Sequence, residues 1–427
     1  MLPLSPPALD KMEAKNKPAW LPYFHSPMMR ISSTVIADNL RVSELAPNQV
    51  QSEIRAMSVA CAAAQGINMA QGVCDTDPPH AVVEAAIVAI HAGHNIYTRA
   101  EGIAALREGI AAKFAAFNGL EVDPETQVLV TSGATGGIQA ALMALLNPGD
   151  ECVVFEPFYG YHVSTLRSLR IVPVIVPLDA PSWAFDAERL RAAITPRTRA
   201  IILNSPSNPS GKVFSPQELH ALTEVAIEYD LFVFTDEMYE YFLYDGVRHH
   251  SIAALPGMAE RTITISGFSK TFSVTGWRLG YLTASERWMP AISYFHDLVY
   301  VCAPAPLQHG AAAGLLALPR SFYDDLAAEY QRKRDRFCAA LERAGLTPLV
   351  PTGAYYVLAE AMRIPGANAR ERARRLLAQT GIAAVAGSAF FTNGPSGNRG
   401  EGLLRFCFAK KDAELAEACN RLDSWHP

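Results

Sequence analysis

Long apolar runs are missing from this sequence. A membrane-spanning helix needs roughly twenty apolar residues, and "AAAGLLAL" (311–318) falls far short. Cysteine is sparse: seven in 427 residues, odd in number, scattered, and never spaced as CxxC. Set in apolar contexts such as "ECVVF" and "LLRFCFA", these cysteines argue against a disulfide frame or a zinc site. They read as reduced, mostly buried thiols of a cytoplasmic protein. No block of five or more like charges occurs, and the formal net charge is −5, which argues against a nucleic-acid binder. The densest basic patch, "QRKRDR" (331–336), lies in a helical pattern and reads as a solvated helix face. The first twenty residues are rich in proline and charge and lack the apolar stretch of a secretory signal.

Half of the residues are hydrophobic, enough for a large core, and the length suggests two or three domains. Residues 1–28 read as an irregular arm, and 49–64 have helical spacing. From 127 onward, short β-rich runs alternate with amphipathic helical patterns. The runs are "QVLV" (127–130), "ECVVF" (151–155), "RIVPVIV" (170–176), "RAIIL" (199–203), "LFVFT" (231–235), "RTITI" (261–265) and "RLGYLTA" (278–284). That alternation predicts an α/β domain with a largely parallel, buried sheet. From 321 the texture changes to a long charged helix pattern (321–344), two weaker strands and a terminal helix, the pattern of a smaller α+β lobe. The organisation expected is an arm at 1–28, a large lobe at 73–305, a connecting helix at 306–320, and a small lobe from 29–72 and 321–427.

Several motifs follow strands. "TSGATGGIQ" (131–139) puts small residues between a strand and a helix, which seats a phosphate on backbone N–H groups. It also resembles a dinucleotide loop, with Glu156 near the spacing of a ribose ligand. A nicotinamide oxidoreductase is therefore a rival, although G-x-G-x-x-G is not matched strictly. In "FTDEMYEY" (234–241), Asp236 ends a strand, either as a ligand or as a helix cap. "NSPSNPSG" (204–211) is turn chemistry around Asn208. "TITISGFSKTFSVTGWRLGY" (262–281) puts Lys270 just past a strand, with Arg278 eight residues on. A phosphate seat, an Asn, an Asp and a Lys, each beyond a separate strand, would converge on one sheet edge. Pyridoxal phosphate needs that set: an acidic partner for its ring nitrogen and a lysine for its aldehyde.

These motifs resemble the class I/II pyridoxal-phosphate aminotransferases of fold type I over residues 40–425. "SGFSKTFSVTGWRLGY", "SPSNPSG", "TDEMYEYF", "YTRAEGIAALREGIA" and "LLRFCFA" stand in the family's order. The resemblance implies pyridoxal 5'-phosphate joined to Lys270, Arg278 on its phosphate and Asp236 on its ring nitrogen. Asn208 and Tyr239 are implied at the ring 3′-oxygen, with Tyr239 also among the catalytic set. Gly133, Ala134, Thr135 and Ser266 are implied at the phosphate, and Tyr159 (with Phe158 competing) stacks on the ring. The substrate α-carboxylate falls to Arg405, with Asn208 and a backbone contact at Gly72. Tyr97 is implied to reach the neighbouring subunit's phosphate in a homodimer. Two departures stand out: Gly267 occupies the position of a common hydroxyl, with Ser266 before it, and Cys74 that of a common proline.

The implied activity is transfer of an amino group from an L-amino acid to a 2-oxo acid by ping-pong kinetics. A neutral or aromatic donor is expected, with Tyr23, Tyr97 and Tyr159 near the pocket, and 2-oxoglutarate or pyruvate as acceptor. Arg99 is the candidate reader of an acidic side chain. The same lysine and aspartate would also serve a C–S β-lyase, a ring-closing synthase or a decarboxylase. A regulator carrying this fold behind a DNA-binding helix-turn-helix is the non-enzymatic rival, disfavoured because roughly 30 to 45 residues, without a basic recognition helix, precede the match.

Overall fold

The computed structural model describes residues 42–46, 52–394 and 397–425. Tyr23 and the arm at 1–28 lie outside the described residues. From Gln51 onward the chain forms one compact unit; everything below concerns that unit.

Seven strands make the large sheet: β1 (Val128–Thr131), β2 (Glu151–Glu156), β3 (Val172–Pro177), β4 (Thr198–Asn204), β5 (Phe232–Asp236), β6 (Thr262–Gly267) and β7 (Gly280–Thr283). Their order is β1-β7-β6-β5-β4-β2-β3. Strands β2 to β6 pair in parallel, and β7 runs antiparallel to both β6 and β1. Helices cover both faces, so successive side chains enter different cores. Val153, Phe155, Ile201, Leu203 and Val233 pack into one. Cys152, Val154, Ala200, Ile202 and Phe234 pack into the other. Burial on both sides is why these strands read as unbroken apolar runs rather than as alternating ones.

The carboxyl ends of the strands gather on one edge, and the register shows how. Asn204 pairs with Asp236, and Asp236 with Ile265, at the adjacent ends of β4, β5 and β6. The reversed β7 begins on this same edge: Gly280 is level with Thr131 on one side and Gly267 on the other. Arg278, just before Gly280, is thereby brought beside the helix that starts at Gly133. That helix, Gly133–Leu145, comes so close that a Cβ at Gly280 would lie 2.6 Å from the Ala134 backbone nitrogen. Only glycine fits there.

A second, antiparallel sheet comprises β8 (Thr347–Leu349), β9 (Tyr356–Glu360), β10 (Val385–Ala386) and β11 (Leu403–Cys407), in the order β10-β11-β9-β8. Helix Arg320–Arg343 leads into it, and helix Asp412–Asp423 follows it. The segment read as a connecting helix is Ala305–Ala317. The basic patch at 331–336 is only partly solvated. Lys333 and Arg334 are buried, paired with Glu329 at 2.5 Å and with Asp245 and Asp335. All seven cysteines are free, and all but Cys302 are buried. Among the described residues no helix is long and apolar enough to cross a membrane.

Candidate active site

A cleft of about 630 Å³ opens over the gathered strand ends. Its floor carries Lys270, Asp236, Asn208 and Tyr239. Ala134, Thr135 and Arg278 line one end, and Gly72, Tyr356 and Arg405 another. Residues from seven separated stretches of sequence therefore share one space.

Lys270 lies in the short helix Phe268–Thr271 immediately after β6. Its ammonium donates to the Gly72 carbonyl at 3.0 Å and lies 5.8 Å from the centre of the Tyr355 ring. Burial pushes its pKa below the ordinary lysine value, and the thiols of Cys74 and Cys407 stand nearby. Those thiols are themselves pushed up by burial, which keeps them neutral beside the amine. An amine with lowered pKa is available unprotonated, the state in which it attacks an aldehyde or takes a proton.

The Asp236 carboxylate is oriented by His162, whose Nε2 is 3.0 Å from Oδ2. The sequence reading missed this histidine, although it stands in "EPFYGYH", one helical turn beyond Tyr159. The Tyr159 ring lines the cleft and meets the His162 ring edge-on at 5.3 Å. Phe158, its competitor, is buried in the core beneath. The Tyr239 hydroxyl is 2.9 Å from that of Tyr356, and burial raises both phenols, so both stay protonated as donors. Tyr356 is a second contributor that no motif announced. Asn208 is fixed by its backbone N–H donating to Asn204 Oδ1 at 2.8 Å.

Arg405 comes from β11 and is fully buried. It donates through Nη1 to Asn208 Oδ1 at 3.0 Å and through Nη2 to the Ala70 carbonyl, and its Nε has no partner. The rings of Tyr356 and Phe390 flank the guanidinium at 4.5 and 4.9 Å. At the opposite end, Ser132 precedes the first turn of helix Gly133–Leu145 without capping it by its side chain, so the first N–H groups face the cleft. Gly133 has φ +72°, and a Cβ there would lie 2.6 Å from Arg278 Nη2. The Ser132 N–H donates to His296 Nε2 at 3.1 Å. Burial lowers the pKa of His296 to about 4, so the imidazole is neutral and able to accept.

Three expected residues are not in this cleft. Ser266 is a correction: its hydroxyl donates to Glu240 Oε1 at 2.8 Å, on the far side of the strand, in a buried cluster with Lys113 and Tyr281. Side chains alternate along β6, which turns Ser266 away; Ser269, one turn on, lines the cleft instead. Gly267 is glycine because a Cβ would come within 2.9 Å of Gly280 Cα. Tyr97 is 79% exposed and outside its own chain's cleft. Arg99 is held by Glu101 and Glu125, each at 2.7 Å. Glu156, the residue on which a ribose reading rested, is buried and accepts from Thr392 N at 2.6 Å and Oγ1 at 2.8 Å.

The profile of the class I and II aminotransferases matches residues 64–422. The chain belongs to that family. It is 35% identical over 376 residues to aromatic-amino-acid aminotransferase 2 of Thermococcus litoralis, covering 87% of this chain and 95% of the relative. The solved N-succinyldiaminopimelate aminotransferase of Mycobacterium tuberculosis superposes with a TM-score of 0.86 at 36% identity, covering 90% of this chain and all of that one. The Escherichia coli protein YbdL, described with a methionine aminotransferase function, gives 0.85 at 31% identity, covering 90% and 100%. The fold is therefore fold type I, and the protein is a pyridoxal-phosphate-dependent transferase that moves amino groups between amino and 2-oxo acids.

The residues of this aminotransferase fit that cofactor. Uncapped N–H groups and Arg278 suit a phosphate. The His162-anchored carboxylate suits a protonated ring nitrogen. The lowered amine of Lys270 lines the same cleft. Unspent donors on Arg405 suit a carboxylate.

Proposed function

We propose that this aminotransferase draws its amino group from a neutral or aromatic L-amino acid and delivers it to a 2-oxo acid in two alternating half-reactions at one site. Bound pyridoxal phosphate supplies the aldehyde that takes up the amine and a ring that accepts electrons from the substrate's Cα. The protein does the rest. Lys270 would hold the aldehyde of the bound cofactor, and its amine, once freed, would serve as the base for the substrate's Cα proton. Asp236, oriented by His162, keeps the ring nitrogen protonated. Asn208 and Tyr239 donate to the ring oxygen. Gly133, Ala134 and Thr135 with Arg278 hold the phosphate, and Tyr159 covers the ring face. Arg405 would grip the substrate α-carboxylate beside Gly72, its planar fork orienting the substrate's Cα.

One observation supports admitting neutral and aromatic donors: Arg99 is spent on Glu101 and Glu125, so it does not commit the site to an acidic donor side chain. The name of the Thermococcus relative supports the same class. We further read 73–305 and 321–427 as separate lobes, supported by the two large sheets, with the stretch up to residue 72 joining the second through the pairing of Ile67–Asn68 with Ile382–Ala383; residues before Gln51 form a unit of their own. The assembly we infer is a homodimer in which Tyr97 reaches the neighbouring subunit's phosphate, supported by its exposure with that of Ile96. A cytoplasmic location is supported by seven unpaired cysteines.

The test is a donor panel read by the cofactor's visible spectrum. Neutral and aromatic amino acids should convert it, and added 2-oxo acid should restore it. Release of pyruvate, ammonia and a thiol without any acceptor would instead mean β-elimination. For the dimer, subunits lacking Lys270 and subunits with Tyr97→Ala should, when co-expressed, regain activity that neither parent shows.

A further inference from the structure

Among the described residues, the cleft is lined by four cationic side chains, Lys270, Arg278, Arg405 and Arg55, against one carboxylate, Asp236. Under the roles proposed above, three of the cations are committed: to the aldehyde, the phosphate and the α-carboxylate. Asp236 is answered by His162 and the ring nitrogen. Arg55 is left over.

Arg55 lies in the first turn of helix Glu53–Ala63, where the chain passes over the cleft mouth. Its guanidinium makes no hydrogen bond or ion pair with any described residue; only its backbone N–H is engaged, donating to the Ser52 carbonyl at 2.9 Å. The nearest acid in sequence, Glu53, faces elsewhere and is paired with Arg370 at 2.7 Å. Ser52, Ser58 and Gln71 line the same wall, and Tyr161 lines the cleft as well. The wall beside Arg55 is thus polar and carries one unspent positive charge.

We propose that Arg55 recognises the second carboxylate of a dicarboxylic 2-oxo acid acceptor. The inference rests on the transfer reading above and narrows it. When a neutral donor is bound, the exposed guanidinium remains in water at little cost, because no fixed partner has to be broken. When a diacid is bound, its α-carboxylate goes to buried Arg405 and its distal carboxylate to Arg55. A fixed, buried second arginine would have excluded neutral side chains by the desolvation cost of an unanswered charge. An exposed one admits both substrates to one site.

The experiment uses holoenzyme and two unreactive probes of equal length, glutarate and pentanoate, followed by perturbation of the cofactor's visible absorbance. Arg55→Gln should weaken glutarate binding about tenfold while pentanoate changes by less than about twofold, as expected for one solvent-facing charged hydrogen-bonding group. Arg55→Lys should recover part of the loss. In turnover, KM for 2-oxoglutarate should rise in Arg55→Gln with kcat held, while 2-oxopentanoate and the donor half-reaction stay as in the parent. Equal effects on both probes, or none, would overturn the assignment and leave Arg55 a solvated surface residue. The two readings fail separately. If no amino acid converts the spectrum, the transfer reading falls, and the glutarate–pentanoate comparison still decides the role of Arg55.

Discussion

Replacing Arg405 by lysine probes the proposed carboxylate grip most directly. An arginine has five N–H donors; two are engaged, with Asn208 Oδ1 and the Ala70 carbonyl, so three remain. Arg405 lines the cleft between the Tyr356 and Phe390 rings, and its remaining donors, buried Nε among them, have no protein partner. A substrate carboxylate can take two of them in parallel. Lysine keeps the charge and one bond and forfeits the other. A hydrogen bond to a charged group is worth roughly 1.5–3 kcal/mol, so kcat/KM for an amino acid should fall about 10- to 150-fold. The assay is the single-turnover conversion of the cofactor spectrum against donor concentration, with cofactor content measured in parallel and expected to be unchanged. The decisive control is the decarboxylated amine of the same side chain, which has no carboxylate to lose. Its already poor rate should change by less than about threefold, because its reaction never used the lost hydrogen bond. If Arg405→Lys handles the amino acid nearly as well as the parent, or if the amine suffers equally, the carboxylate grip is the wrong role for this residue.

Lys270→Ala should bind cofactor without the covalent link: borohydride reduction followed by peptide mapping should fix nothing at 270, and turnover should drop by at least the roughly 10²–10⁴ that proton transfer alone contributes. Ser266→Ala should cost stability by about 1–2 kcal/mol, because buried Glu240 loses one of its donors, yet leave cofactor affinity unchanged; a loss of cofactor affinity would return Ser266 to the phosphate. His296 has a depressed pKa in the folded protein, about 4 against 6.5, so the unfolded chain binds more protons between those values. Its contribution is fully present above pH 6.5 and is lost as pH falls toward 4, with a slope of up to about 1.4 kcal/mol per pH unit. Denaturant titrations of the parent and His296→Gln over that window should differ by that slope, and parallel curves would refute a neutral buried imidazole.

Much of the fold was legible because each sheet strand is a short apolar run ending in turn residues. The expected runs match the observed strands to within two residues at either end: "ECVVF" became Glu151–Glu156, and "RTITI" became Thr262–Gly267. The charged pattern at 321–344 became helix Arg320–Arg343. Lys270, Asp236 and Asn208 were legible as cleft residues for the same reason, since each stands at or beyond a strand end and open α/β sheets bind ligands there, whereas Arg278, which precedes β7, was pointed to only by the family resemblance. His162 and Tyr356 were not. Neither stands in a motif; one is reached through the helix after β2, the other from a different sheet.

The sequence by itself determined the elements and the chemical inventory. Periodicity and turn residues act over a few positions, and the pattern of lysine, aspartate, asparagine and arginine beyond strands is local too. Only the tertiary structure decided which of those groups meet. The reversal of β7 carries Arg278 back to the strand ends beside Gly133. The pleat of β6 sends Ser266 to Glu240 and leaves the cleft to Ser269. Pairing with its neighbour Glu101 and with the more distant Glu125 spends Arg99, while Arg55 keeps its charge free at the cleft. Direction and pairing depend on strand order, register and side-chain packing between segments far apart in the chain, and no short window of residues encodes them.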